Sequence, residues 1–556
     1  MNPERMEHSA PADRGKRALP WVVGVLTLAL AGAPSPGVDF AEAAWLWAVP
    51  FALWAVARPG WRTWLVASAI TMVVAKCALL VWLRHVYVPL GYLGLVFVSF
   101  ASAIFPVLWL ALLRWLFPKT QGAPLTARLV IQLGLAGAWV FLEWVQSWFL
   151  TGFPWMLLAE SQWLRPTALS LCAWGGPWAL GFAIMLFNLG LARYVARVFH
   201  ARRQALPAAA PAPFAILRNV CPEFYLGVAP LFFALFSHLQ ALNLHRARAE
   251  KLFTAAVVQM DFPPGEKWDE TKVTRHVAIA RELTLNAASG ATPPDIILWP
   301  EAALPYPVGN AGYDSFLKQL AHDTRSTLLI GAISLQGDGY FNGIHVVTPD
   351  GGVGADFYAK RHLVPFGEYV PLADILPLRK VVPIAHDSLV GGRADPLPVP
   401  LPGNRNGRPL LAGTLVCYED VFPALSLDMA RRGADFIAVV TNDAWYGREA
   451  GAYQHAAHSA VIAASLRLPV VRCGNNGWSG VISPLGQAQA LEDATGSIYF
   501  RGTGRFDVHG IPASVREPTF YVRHGDWVVK MSALLALWAC VRNRVRRRKT
   551  MAGHAL

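Results

Sequence analysis

Residues 410–423 read Leu-Leu-Ala-Gly-Thr-Leu-Val-Cys-Tyr-Glu-Asp-Val-Phe-Pro. An apolar run ends on Cys417, two acids follow, and a helical pattern begins at Pro423 and continues to Arg432. A strand that turns into a helix exposes the residue at the turn beside backbone N–H groups. That setting suits a nucleophile with a depressed pKa and an oxyanion site. A cysteine at a strand end is, on its own, just a small buried residue, so its neighbours in the chain carry the weight.

Two other stretches supply them. Ile296-Ile-Leu-Trp-Pro-Glu301 runs an apolar strand into a carboxylate, a placement that fixes and partly desolvates a general base. Tyr358-Ala-Lys360-Arg-His-Leu-Val-Pro-Phe-Gly-Glu368-Tyr-Val-Pro holds a lysine and a glutamate in a turn with glycine and proline breaks, and a fixed ammonium can stabilise an acyl-transfer oxyanion. Around them the pattern alternates. Strands are expected at 252–260, 295–300, 326–333, 343–348, 410–417 and 435–441, and helices at 271–289, 313–323, 423–432 and 452–466. This is α/β patterning with the chemical residues at strand ends.

Outward from this segment the chain becomes a membrane protein. Over 556 residues it is 54% hydrophobic and only 15% charged, too apolar for an ordinary soluble protein. Eight stretches approach the roughly 20 apolar residues that cross a lipid core. They fall at 18–34, 40–57, 61–83, 89–116, 127–149, 168–192, 224–244 and 526–541. The net charge of +13 is spread between these runs rather than gathered on one face, which argues against nucleic acid as a partner. Every second loop is basic, with Arg14, Lys16 and Arg17, then Arg58 and Arg62, then Arg114, Lys119 and Arg128, then Arg193 to Arg218, and finally Arg542 to Lys549. By the positive-inside rule both termini are cytoplasmic and 245–525 lies on the opposite side. The first run also fits a cleaved signal peptide, and retention as a span is the reading preferred here. Residues 203–213, rich in alanine and proline, read as a linker. Lys76 and Glu143 fall within spans, where they either pair or meet the interface separately.

The six cysteines show neither zinc spacing nor a disulfide framework. His455-x-x-His458 has metal-pair spacing on a helix, but it lacks a nearby third ligand and reads as structural. No metal and no cofactor is expected.

Taken in order, Glu301, Lys360 and Cys417 resemble the triad of the carbon-nitrogen hydrolase (nitrilase) superfamily, which implies an αββα sandwich. Leu363-Val-Pro-Phe-Gly-Glu-Tyr-Val-Pro, Cys417-Tyr418-Glu419, Asn442-Asp443-Ala-Trp445-Tyr-Gly and Gly152-Phe-Pro-Trp155 further resemble the bacterial apolipoprotein N-acyltransferase family, over nearly the whole chain. The resemblance implies a ping-pong transfer. Glu301 accepts the Cys417 proton, and the sulfur takes an acyl chain from the sn-1 ester of a phospholipid. The α-amino group of an S-diacylglyceryl cysteine at an apolipoprotein N-terminus then collects it. Lys360 would stabilise the oxyanions, Glu368 would support the triad, Tyr418 and Glu419 would shape the pocket, and Trp268 would sit on a mobile loop. Phe153, Trp155, Phe366 and Trp445 are expected as substrate walls or lids. Donor phospholipid, apolipoprotein acceptor and membrane lipid are the implied partners, and the bacterial inner membrane is the implied location. Gln259-Met-Asp-Phe-Pro-Pro-Gly265 departs from the family pattern near Trp268.

The expected architecture is therefore a polytopic α-helical membrane bundle of about eight spans plus an α/β nitrilase-like domain. A cytoplasmic tail (1–17) precedes a seven-helix bundle (18–245), a catalytic domain (246–525), an eighth helix (526–541) and a basic tail (542–556). Two other functions fit parts of the pattern. A membrane-anchored amidase or nitrilase would use the same triad but has no need of eight spans. A transporter with an inactive nitrilase-like domain would not keep the triad intact.

Overall fold

The computed structural model describes residues 40–86, 90–204, 221–267, 269–337, 339–370, 389–392, 395–401 and 408–552. These divide into two units, one comprising residues up to Ser161, Trp178–Phe233 and Asp526 onward, the other Gln162–Pro177 and Ala234–Gly525.

The first unit is helical. Among the described residues five helices are long and apolar enough to cross a membrane: Trp61–Leu79, Leu90–Thr120, Leu125–Gln146, Pro177–Val198 and Pro222–Arg248. Their outward side chains are apolar. Ile70, Leu93, Phe97, Phe100, Ile104 and Phe232 are all exposed, an arrangement that water penalises and lipid does not. Inside, Trp47, Trp64, Trp109 and Leu135 are buried, and the indole N–H groups of Trp64 and Trp109 donate to the carbonyls of Leu110 (3.0 Å) and Leu135 (2.8 Å). Helix Leu125–Gln146 packs backbone to backbone on the last helix, Trp527–Ala552. A Cβ on Gly137 would lie 2.5 Å from the Ser532 carbonyl, so only glycine allows that approach.

The described residues refine the expected spans. The run at 18–34 lies outside them, and the run at 40–57 is a 3-10 turn, Ala41–Trp45, followed by the eight-residue helix Val49–Val56. The sixth span starts at Pro177 rather than 168. Gly176 takes a left-handed φ of 65°, and residues before it form two short helical turns, Pro166–Leu169 and Cys172–Gly175, that belong to the second unit. That helix runs to Gln204, past the expected start of the linker, and the rest of 203–213 lies outside the described residues. The final helix does not stop at 541 but continues through the basic residues to Ala552. Lys76 and Glu143 form no direct ion pair among the described residues, and the Glu143 carboxylate instead accepts the Leu158 N–H at 2.8 Å.

The second unit is a layered α/β domain. Its described strands are β1 (Glu250–Gln259), β2 (Ile296–Leu298), β3 (Thr327–Gln336), β4 (Gly339–Thr348), β5 (Gly352–Ala359), β6 (Leu397–Val399), β7 (Leu410–Val416), β8 (Phe436–Thr441), β9 (Val470–Gly474), β10 (Gly480–Ile482), β11 (Ala488–Ala490) and β12 (Gly502–Gly510). They form two six-stranded sheets, ordered β12-β1-β2-β3-β4-β5 and β11-β10-β9-β8-β7-β6. The central pairs, β1-β2-β3 and β7-β8-β9, are parallel. Strand β8, Phe-Ile-Ala-Val-Val-Thr, is buried along its whole length, as expected of a parallel strand covered on both faces. Each large apolar side chain so buried contributes about 1.5–3 kcal/mol. Phe253 of β1 meets Phe436 of β8 with ring centroids 4.8 Å apart, and the Cys473 thiol of β9 reaches the carbonyls of Val258 (3.5 Å) and Leu298 (3.3 Å), so the sheets stack face to face.

Helices cover both outer faces. Val273–Ala288 buries Val273, His276, Ala280, Thr284 and Ala287, a three-to-four-residue spacing that puts one stripe on the first sheet. Ala311–Thr324 is capped by Asn310, whose side chain accepts the N–H groups of Gly312 and Tyr313. On the second sheet lie Pro423–Arg431 and Gly451–Leu466. The latter is buried on every side, which its many alanines permit.

Candidate active site

Three strand ends build the site. Glu301 follows β2, where the chain stays hydrogen-bonded to β3: the Trp299 N–H donates to the Leu329 carbonyl (2.9 Å) and the Ala303 N–H to that of Gly331 (2.8 Å). A Cβ on Gly331 would fall 2.3 Å from the Pro300 carbonyl oxygen, so glycine is what lets the Glu301 turn lie on β3. Lys360 follows β5, and its N–H donates to the Asn342 carbonyl of β4 at 2.8 Å. Cys417 follows β7. Ala302, Phe366 and Cys417 all adopt left-handed φ values, 42°, 61° and 52°. Such backbone costs on the order of 1–3 kcal/mol per residue and persists where the surroundings enforce it.

The side chains converge. Lys360 Nζ donates to Glu368 Oε1 at 2.8 Å and to Glu301 Oε1 at 3.4 Å, and Asn342 Nδ2 bridges the same two carboxylates at 3.2 and 2.8 Å. Glu368 Oε2 also accepts the Val364 N–H at 2.7 Å. Glu301, Lys360 and Cys417 are all buried.

Burial opposes charge on Glu301, but the Lys360 ammonium, the Asn342 hydrogen bond, Lys267 and the Cys417 thiol outweigh it. The carboxyl is held below the usual carboxylate range. Burial likewise opposes charge on Lys360, and Glu368 and Glu301 reverse the balance, raising it above the ordinary lysine value. Cys417 behaves contrary to expectation from the sequence. Burial, reinforced by the negative Glu301, pushes the thiol up, and Lys360 and the Thr441 hydroxyl only partly offset this. The turn supplies the anticipated geometry, but desolvation decides the charge, so the resting site is a neutral thiol beside a charged carboxylate and a charged lysine.

Glu419 is buried and turned toward backbone. Its Oε1 accepts the N–H groups of Arg361 (2.7 Å) and His362 (3.1 Å), its Oε2 accepts that of Val416 (2.9 Å), and the Tyr358 hydroxyl reaches both oxygens. Burial raises its pKa and the Val416 and Arg361 N–H groups restrain the rise. Glu419 thereby ties the Lys360 loop to the Cys417 turn. Tyr418 is buried edge-on against Phe422, with centroids 5.0 Å apart. Of the expected lid residues, Phe366 is exposed on the Lys360 loop and Trp445 is half-buried in the 3-10 turn Asp443–Tyr446. Phe153 and Trp155 belong to the other unit, where Trp155 is buried between Phe153 and Trp82. Trp268 lies outside the described residues.

Several groups at this site were not singled out from the sequence. Asn342 is one. Lys267 is another: it is buried, its Nζ donates to the Glu301 carbonyl at 2.8 Å, and burial lowers its pKa to about 8 against the pull of Glu301 and Cys417. A lysine beside an expected loop tryptophan gives no hint of burial. Behind Cys417, Asp420, Asp443, His455 and Arg472 form a buried charged cluster. Among the described residues no group of three or more His, Cys, Asp or Glu has the arrangement of a metal site.

A thiol, a carboxylate and an ammonium at the strand ends of an αββα sandwich define a carbon-nitrogen hydrolase domain, and residues 254–499 match that family. Residues 24–190 match the apolipoprotein N-acyltransferase N-terminal domain. The apolipoprotein N-acyltransferase of Geobacter metallireducens is 30% identical over 517 residues, covering 91% of this chain and 90% of that protein. That of Azotobacter vinelandii is 31% identical over 444 residues, covering 78% and 76%. Among solved structures, the CN-hydrolase superfamily protein XC1258 of Xanthomonas campestris aligns with 18% identity and a TM-score of 0.33, covering 47% of this chain and 91% of that one. The chain belongs to the apolipoprotein N-acyltransferase family. It is an N-acyltransferase and a membrane protein, which decides between the functions weighed from the sequence.

Proposed function

We propose that this chain moves a fatty acyl group from the sn-1 position of a phospholipid, through a thioester on Cys417, to the α-amino group of the S-diacylglyceryl cysteine that begins an apolipoprotein. The observation that carries this is a buried neutral thiol set beside a charged Glu301 and Lys360 in a chain whose described residues also include five helices of spanning length. Glu301 takes the thiol proton as the sulfur attacks the ester carbonyl. Lys360, fixed by Glu368, stabilises the oxyanion, and the tetrahedral adduct collapses as Glu301 returns the proton to the departing lysophospholipid oxygen. In the second half, Glu301 accepts a proton from the attacking amine and passes it to the departing sulfur, which restores the thiol and the carboxylate. Glu419 and Tyr418 support the nucleophile turn, and Trp268, Phe366, Trp445, Phe153 and Trp155 are assigned to substrate contacts.

Full-length protein incubated with labelled phospholipid should acquire a hydroxylamine-sensitive acyl adduct, and Cys417→Ala should acquire none. An adduct that survives the substitution would assign the sulfur wrongly. The basic-loop pattern supports both termini on the cytoplasmic side of the inner membrane, with the domain 246–525 on the periplasmic side. Reporter fusions after Arg203 and within 252–525 should report opposite sides, and reports from one side would overturn that topology.

A further inference from the structure

Behind the Cys417 turn lies a closed cluster of four charges contributed by four separate segments. Asp420 comes from the turn itself, Asp443 from the segment after β8, His455 from the buried helix Gly451–Leu466, and Arg472 from β9. All four are buried, at 2% exposure or less. Arg472 pairs with Asp420 through Nη1 and lies 3.4 Å from Asp443 Oδ2 through Nη2. His455 Nδ1 is 2.8 Å from Asp443 Oδ1, and His455 Nε2 is 2.7 Å from Asp420 Oδ1. The same Nε2 donates to the Cys417 carbonyl at 3.3 Å. Ser459 donates to Asp420 at 3.0 Å and Thr441 to Asp443 at 2.9 Å.

Two aspartates and one arginine leave a net negative charge buried away from the protein surface, and burying an unpaired charge is costly. A protonated His455 brings the sum to zero. Its contact with the Cys417 carbonyl falls on the residue whose left-handed φ of 52° directs the sulfur. We infer that His455 is a positioning residue for the nucleophile: the cation that completes a neutral buried quartet with Asp420, Asp443 and Arg472 and holds the main chain of Cys417. This deepens the acyl-transfer reading and rests on it for its purpose.

Other groups facing the imidazole agree with this. Burial and Arg472 oppose a charge on His455, the two aspartates outweigh them, and its pKa is raised. Asp420 is pulled down to about 2 by His455 and Arg472 against its own burial, with a smaller contribution from His458. Tyr446 meets the imidazole edge-on at 5.7 Å, and burial, with Cys417 and Asp443, raises its pKa, so it stays neutral. Glu301 and Lys360 act on the thiol itself.

The test reads the thiol without substrate. Full-length protein in detergent is alkylated with iodoacetamide between pH 7 and 9, and the modified Cys417 peptide is quantified by mass spectrometry. His455→Gln keeps a hydrogen-bonding side chain but leaves one negative charge unbalanced, and should slow Cys417 alkylation about tenfold, a displacement of about one pH unit. Adding Asp420→Asn restores neutrality and should return the rate to within about twofold of wild type. Asp443→Asn alone, which leaves an excess positive charge, should speed alkylation. A His455→Gln variant that fails to fold beside a double variant that folds and reacts as wild type supports the charge balance. A double variant no faster than His455→Gln, or an Asp443→Asn variant displaced in the same direction as His455→Gln, overturns it. Loss of acyl transfer with these alkylation rates intact would instead count against the proposed reaction.

Discussion

Glu419→Gln isolates the tie between the Lys360 loop and the Cys417 turn. The glutamate accepts three backbone N–H groups and the Tyr358 hydroxyl, with Arg361 and His362 on Oε1 and Val416 on Oε2. Glutamine has the same shape but only one acceptor oxygen. Kept toward Arg361 and His362, it turns its NH2 toward Tyr358, whose oxygen can accept, and toward the Val416 N–H, which cannot. One buried donor next to the nucleophile is left unpaired, at a cost of about 1–3 kcal/mol. If the turn relaxes to recover that cost, Cys417 moves away from Glu301, and the same energy appears in the acylation barrier as about a 5- to 150-fold slower step. Glu419→Ala orphans four donors and should exceed roughly 4 kcal/mol, enough to unfold the domain. Single-turnover acylation with labelled phospholipid, alongside thermal unfolding followed by tryptophan fluorescence, separates the two. Glu419→Gln should fold with a modestly lower Tm and a slow acylation step at unchanged half-saturating lipid. Acylation within twofold of wild type would refute the idea that this carboxylate aligns the two loops.

The acid limb of wild-type kcat/KM should fall below the ordinary glutamate value, because Glu301 is held below it and loses its charge only as the pH drops through that lowered value. Asn342→Asp places a third carboxylate against Glu301 and Glu368 beside Lys360, and should move this limb upward by about one pH unit. A limb that stays put in the pH-rate profile would deny Glu301 the role of base. Lys267 titrates near 8 when folded, below an unfolded lysine at about 10.4, so the unfolded chain binds more protons between these values and stability rises with pH across that window. Relative to Lys267→Met, wild type should gain up to roughly 3 kcal/mol between about pH 8 and pH 10.4. Parallel Tm curves for the two proteins would show that Lys267 is not buried as a cation.

Glu301 and Cys417 stood out because each ends a short apolar strand abruptly, and Lys360 because glycine and proline breaks follow it in the chain; such changes of pattern survive in one dimension. The sixth span was misplaced because Leu169, Leu171, Cys172 and Trp174 are as apolar as the helix that follows, and only the left-handed Gly176 separates them. The charge of the nucleophile was misjudged for another reason. A sequence shows the turn that could stabilise a thiolate but not the depth at which the turn is buried. His455 and His458 were visible as a helical pair, whereas the partners that give His455 its charge sit on other elements, at Asp420, Asp443 and Arg472. Spacing along one helix cannot register a cluster assembled from four.

The unequal treatment of the two glutamates bears on which of them moves a proton. Glu368 is fully committed: Lys360 at 2.8 Å and the Asn342 amide hold one oxygen while the Val364 N–H holds the other. Glu301 has the longer contact with Lys360, 3.4 Å, and is the carboxylate that also meets the thiol. Lys360 cannot serve as the acid, because two carboxylates keep its proton in place. In the proposed reaction, with the thiol neutral at rest, the proton lost on attack would have one acceptor whose remaining bonds permit it, and the same group would supply the departing oxygen. Glu368 would there anchor the cation so that Glu301 could change charge without losing it. On that proposal, a thiolate formed only as the ester carbonyl is engaged would also leave no standing nucleophile to react with anything else that reaches the site.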